Sequence, residues 1–164
     1  MDTRRIARLL LTTAVLVIAS AAPLARATAQ TRTTRVVAAD GAQRAIAAAL
    51  AEAKKQGWNV SIAVVDLGGE LVGFLRMDGA SPGSVDVSQA KARTAARFKR
   101  ATQVFDSTVT AGRVAILGLP GVVPVTGGVP IIVNGEIIGA VGVSGATSAQ
   151  DAQVAQAGAA AVQP

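Results

Sequence analysis

Two tight-turn dipeptides, Gly68-Gly69 and Asn134-Gly135, each lie between runs rich in β-branched residues. Asn-Gly and Gly-Gly tolerate the positive φ angles a short hairpin demands, so each pair of flanking runs must return antiparallel. The first hairpin joins residues 59–66 to 71–77, and the second joins 129–133 to 136–144. In the first strand Val60, Ile62 and Val64 take one face while Ala63 and Val65 take the other, so both faces need cover. Elsewhere the apolar period is helical. Ile46, Ala49, Leu50 and Ala53 follow i, i+3, i+4, i+7, with Asp40 as N-cap and Gly57 as the terminating glycine. A second helix starts at Ser84 or Asp86 and runs to about Arg100, with Val87, Ala90, Thr94 and Phe98 inward. Thr102 caps a short third helix over 103–109. Ser148 and Asp151 approximate a capping box for a last helix ending near Val162. The order α-β-β-α-α-β-β-α predicts an α+β domain, an antiparallel sheet with helices outside it. Residues 110–128, rich in Gly and Pro, read as an ordered loop with room for a short extra strand near 122–125.

The N-terminus has a different composition. Arg4, Arg5 and Arg8 precede an uncharged run from Leu9 to Ala22, which ends at Pro23 before the small-x-small site Ala25-Arg26-Ala27. This is the order of parts in a secretory signal, and the run is shorter than the roughly 20 apolar residues of a membrane span. The expectation is a signal peptide over 1–27, a flexible arm over 28–38 and one domain over 39–164. That predicts a periplasmic or secreted protein with no stable membrane anchor after cleavage. Thr3-Arg4-Arg5 loosely resembles a twin-arginine signal, so the export route stays open. The leader, with Arg4, Arg5, Arg8 and Arg26 against Asp2, supplies half of the formal net charge of +6. The remaining charge, with one Trp, three Phe and no Tyr, offers little for nucleic acid to stack on or pair with.

The chain has no histidine and no cysteine. Zinc sites, a Ser-His-Asp triad and disulfides are therefore excluded. The motif Gly142-Val-Ser144-Gly-Ala146 lacks the second glycine and the base of a nucleophile elbow. Ser88-Gln-Ala-Lys91 matches an S-x-x-K pattern without its companion motifs. Asp66, Glu70 and Asp78 could approach one another across the first hairpin as paired carboxylates, or serve only to solvate the turn and strand ends. The glycines between Gly118 and Gly128 lack phosphate-loop spacing. Helix two is the strongest lead. Arg93, Arg97 and Arg100 fall at i, i+4, i+7, a face that could bind carboxylates such as porphyrin propionates. The same stripe could be a solvated face or an inter-subunit ion-pair row. Met77 is the one methionine beyond the leader; its thioether could ligate haem iron or fill the core.

Several blocks resemble the GlcG/HbpS family of haem-binding proteins. They are Gly57-Trp-Asn-Val-Ser-Ile-Ala-Val-Val-Asp-Leu-Gly-Gly-Glu-Leu-Val, Arg76-Met-Asp-Gly-Ala-Ser-Pro-Gly-Ser with Lys91-Ala-Arg-Thr-Ala, Pro120-Gly-Val-Val-Pro-Val-Thr-Gly-Gly-Val-Pro-Ile, and Ile138-Gly-Ala-Val-Gly-Val-Ser-Gly-Ala-Thr followed by Asp151. The resemblance spans residues 40–162. It implies an antiparallel sheet of about five strands flanked by helices, and assembly as a homo-oligomer. Some members are exported and bind haem, with links to haem breakdown, iron handling or redox sensing. Others stand beside glycolate or propanediol utilisation systems. A threonine after the second helix is implicated in haem coordination in a relative. Here that position matches Thr102, with Ala101 replacing the usual proline. Histidine ligands of other relatives have no counterpart. The resemblance thus implies haem, with Thr102 or Met77 near iron and Arg93, Arg97 and Arg100 near the propionates. One rival is an enzyme for a small oxidised or carboxylate metabolite, its pocket between Asp78-Gly79, Lys91 and Gly127-Gly128-Val-Pro130. A second rival is an accessory subunit whose glycine-rich surfaces serve assembly.

Overall fold

The computed structural model describes residues 33–164. The anticipated signal peptide (1–27) and residues 28–32 of the anticipated arm lie outside the described residues. The elements are α1 (Ala39–Gln56), β1 (Ser61–Asp66), β2 (Leu71–Arg76), α2 (Ser84–Arg97), α3 (Gln103–Thr110), a 3-10 turn (Val114–Gly118), β3 (Gly128–Val133), β4 (Glu136–Ser144) and α4 (Ser148–Ala160). The α-β-β-α-α-β-β-α order is as read from the sequence.

The two hairpins join through β1 and β4, giving one antiparallel sheet in the order β2-β1-β4-β3. Ile62 faces Leu75 on one side and Val143 on the other. The described residues form four strands, one fewer than anticipated. Residues 122–125 stay irregular because their backbone is engaged elsewhere: Val123 N–H donates to the Thr94 hydroxyl and Val122 N–H to Leu119 O. Pro124 has no N–H to offer a ladder.

The turns differ. Asn134 and Gly135 both have positive φ, 53° and 77°, as a two-residue turn requires. At the first hairpin only Gly69 is left-handed, at 88°, and Gly69 N–H bonds Asp66 O. That is a three-residue loop with a bulge, matched by the register shift between Val64 and Val65.

The two sheet faces are packed by different chemistry. On one, Val60, Ile62, Val64, Val141 and Val143 meet the alanines of α1 and Val154 and Ala155 of α4. On the other, Ala63, Val65 and Ala140 meet Ala92, Ala95 and Ala96 of α2. Here α2 lies on bare backbone: a Cβ at Gly142 would run into Ser88 O and Ala92 N. This corrects the anticipated inward stripe of α2 in part: Thr94 is buried, but the stripe is not centred on Val87. Val87 is 37 % exposed, whereas Ser84, Ser88, Lys91 and Ala92 are buried. At so short a separation only small side chains, or one that runs past the strand ends, fit beneath the helix.

Helix ends also moved. Asp40 lies inside the first turn of α1, and Ala38 takes the cap position without a side-chain bond. Gly57 does end α1, with φ 72°. The capping box of α4 is Thr147 with Gln150, one residue before the anticipated start. Val37, in the arm, is buried, and its N–H bonds Ile138 O.

Candidate functional site

Lys91 sits on the buried face of α2 and runs out past the end of β4. Its Nζ donates to Asp151 Oδ2 at 2.8 Å and to Val143 O at 3.0 Å. Lys91 is 1 % exposed and Asp151 2 %. The second carboxylate oxygen accepts from Ala146 N at 3.0 Å. Burial pushes the Asp151 carboxyl above its ordinary range, against the pull of the Lys91 ammonium and the Ala146 N–H. One ion pair therefore ties α2, β4 and α4 together. Gly127, at φ 128°, closes over it; a Cβ there would lie 2.8 Å from Nζ.

Thr102 belongs to the same buried cluster. It precedes α3 but makes no cap bond. Its Oγ1 accepts from Gly128 N at 2.9 Å, and its own N–H donates to Gly128 O at 3.0 Å. The threonine thus clamps the start of β3 instead of its own helix. Lys91 and Thr102 meet around Gly127 and Gly128, both sealed from solvent.

The three arginines do not form one stripe. Arg93 Nε donates to Gly69 O at 3.2 Å, and Arg97 Nε to Gly68 O at 2.7 Å. Together they grip the turn of the first hairpin. After Arg97 the chain leaves the helix: Lys99 has φ 54°, Lys99 N–H bonds Ala96 O and Arg100 N–H bonds Ala95 O. That reversal is a helix-ending motif normally built on glycine. It swings Arg100 away, so that its guanidinium lies 5.8 Å from the Phe105 ring centre.

Met77 follows β2, one edge of the sheet, and packs against the Val/Ile core. Thr102 bonds β3, the other edge. Three strand spacings, roughly 14 Å, separate the edges. One protomer does not bring Met77 and Thr102 to a common point. At the place of the anticipated metabolite pocket Gly79 packs on the Asn59 amide, and the Lys91 ammonium is taken up by Asp151 and Val143 O.

The open surface lies elsewhere. Residues 111–125 form an arm with Val114 62 % and Leu117 57 % exposed, and Leu119 exposed beside them. The Thr94 hydroxyl fastens it to α2, lying 3.2 Å from Gly121 O and accepting from Val123 N. Gly121 places the arm next to the Arg97 guanidinium. The segment thus carries exposed apolar side chains and touches the half-exposed Arg97 cation at Gly121. Among the described residues no group of three carboxylates could hold a metal ion.

The model of the haem degrading protein HbpS-like family matches residues 37–160. The chain belongs to that family. HbpS of Streptomyces reticuli, solved as a double mutant, superposes with a TM-score of 0.74 at 34 % identity, covering 86 % of this chain and 97 % of that one. PduOC, solved as a haem complex, superposes at 0.69 with 28 % identity over 77 % of this chain and 95 % of its own. Protein GlcG of Escherichia coli K12 is 50 % identical over 99 residues, 60 % of this chain and 74 % of GlcG. The family resemblance noted in the sequence is thereby established, and with it membership of a haem-handling family.

Proposed function

We propose that this HbpS-like protein is an exported, homo-oligomeric binding protein for haem or another tetrapyrrole, serving haem or iron handling or redox sensing. The observation that carries the reading is the superposition on PduOC, a neighbour solved with haem, over 95 % of that chain. The local chemistry supports a surface site. The arm offers Leu117 and Leu119 to a macrocycle, and Arg97, with Arg93 behind it, offers cations to propionates. Arg100 stands by Phe105 and could join from the far side of the Lys99 reversal.

Iron receives a weak ligand in this reading. Thr102 reaches it only if Gly128 N–H releases the Thr102 oxygen. Met77 stays with the core, and Lys91 is held by Asp151. Haem is therefore retained mainly by apolar contact and ion pairing, and its binding should weaken with salt. A titration of the purified protein with haemin, followed in the visible spectrum at several salt concentrations, tests this. A Soret shift saturating at fixed stoichiometry is expected, with Arg97→Ala roughly tenfold weaker, the worth of one charge-assisted hydrogen bond. A saturable shift with no salt dependence and no Arg97 effect would reject the site.

The 50 % identity with GlcG supports a second reading, a small-metabolite enzyme or an accessory subunit. Such an enzyme would have to expose Lys91, whose Nζ is closed off by Gly127. Turnover of a small carboxylate without haem, abolished by Lys91→Ala, would favour it.

A further inference from the structure

The two edges of the sheet are finished differently. Along β3, Gly127 O accepts from Val143 N–H, so the outward backbone groups are those of Gly128 and Pro130. Thr102 occupies both groups of Gly128, Pro130 has no N–H, and the register slips before Ile132. Such features close an edge to further strands. The edge at β2 keeps its own register shift at the Leu71 end and runs regularly from Gly73 to Arg76. Met77 N–H donates to Val60 O, so Gly73 and Leu75 turn their backbone groups to β1 while Phe74 and Arg76 turn theirs away. On that outer side neither residue finds a backbone partner among the described residues.

The side chains along this edge match one another. Phe74 and Arg76 lie opposite Ala63 and Ser61 of β1, hence on the sheet face that carries α2, and both are exposed. Arg76 Nε and Nη2 donate to Ala80 O at 3.1 and 2.6 Å, which pins the guanidinium at the end of the strand. Leu75 lies on the opposite face, half-buried against the Val/Ile core. Bare backbone donors and acceptors at strand spacing call for another strand. Phe74-Leu75-Arg76 is complementary to itself. Run antiparallel about Leu75, it sets Phe74 opposite Arg76 on both sides of the axis and uses every outward N–H and C=O of the two residues.

We propose that β2 pairs with β2 of a second copy of this chain, across a two-fold axis at Leu75, joining two sheets into one. The inference rests on the homo-oligomeric part of the reading above and names its interface. The Phe74 ring of each protomer meets the partner's Arg76 guanidinium in a cation–π contact, made twice because the interface is symmetric. The competing occupant is an extended segment of a different protein, in which case the purified chain stays monomeric.

Sedimentation equilibrium on the purified protein, paired with amide hydrogen exchange, tests this. A dimer is expected, alone or within a larger assembly, and in it the Phe74 and Arg76 amides exchange roughly tenfold more slowly than in the dissociated protomer. Phe74→Lys and Phe74→Glu remove the same exposed ring but set opposite charges against the partner's Arg76. Phe74→Lys should weaken the dimer roughly tenfold, whereas Phe74→Glu should stay within roughly threefold of the wild type. Both positions are exposed, so both variants should keep the wild-type unfolding midpoint. An oligomer in which the two amides exchange as in the protomer, or equal weakening by Lys and Glu, would overturn the β2 interface and leave the homo-oligomer standing. A monomer at every concentration would overturn both.

Discussion

The region beneath α2 and the arm at 111–125 carry opposite designs. Under α2, glycine and alanine let backbones touch, and the polar groups that enter are paired: Lys91 with Asp151, and Thr102 with the Gly128 amide. In the arm, large apolar side chains face outward and the nearby Arg97 is half exposed. The first region spends its polar groups on holding three elements in register. The second leaves its groups free to meet something else. The family-motif lysine is thus held in a buried ion pair, whereas the arginine spent partly on a turn stays half exposed.

The largest effect should come from splitting the buried pair. Lys91→Met leaves Asp151 without its cation and should cost about 3–5 kcal/mol in urea unfolding. Adding Asp151→Leu should recover most of that, because a buried pair replaced by apolar groups is often neutral. If the single variant lost nothing, the sealed side of the comparison would fail. Gly142→Ala comes next. Its new Cβ meets Ser88 O, and prising α2 from the sheet should cost about 3 kcal/mol. Thr102→Val leaves Gly128 N–H unsatisfied and should cost about 1–3 kcal/mol, with Thr102→Ser restoring it.

A smaller signal is the pH response of Asp151. Its carboxyl keeps its proton to higher pH in the folded chain than the ordinary 3.8 of the unfolded one. Such a group contributes stability that is full below 3.8 and lost as pH rises through the raised value. The stability of the wild type minus that of Asp151→Asn should therefore fall with rising pH across the window just above 3.8. A flat or rising difference would show that the Lys91 charge outweighs burial. The smallest effect should be Arg97→Ala on stability, within about 0.5 kcal/mol, since the Arg97–Glu70 pair is exposed.

What could be read in the chain beforehand follows locality. Asn134-Gly135 and Gly57 announce their positive φ values in their side chains, so the second hairpin and the end of α1 were legible. Gly68-Gly69 announced a turn but not its type, because one or both glycines can take positive φ. The end of α2 carries no such mark: Lys99 adopts a conformation uncommon for a non-glycine residue, and this is what breaks the arginine stripe. The inward face of α2 was misread because Val87 and Phe98 are larger and more apolar than Ser88 and Ala92. Only the glycines of β4, read as a floor for the helix, would have reversed that choice. The partner of Lys91 lies 60 residues away on another helix. Its one local sign is a lysine flanked by Ser88, Ala92 and Ala95 on the same helical face.

The comparison is tested most directly by one paired haemin titration, read as the Soret shift in two variants. The account predicts that Lys91→Met with Asp151→Leu still binds haemin, while Leu117→Ser with Leu119→Ser loses binding and keeps its unfolding midpoint. Binding lost in the first variant while it stays folded, and kept in the second, would place the ligand under α2 and contradict the account.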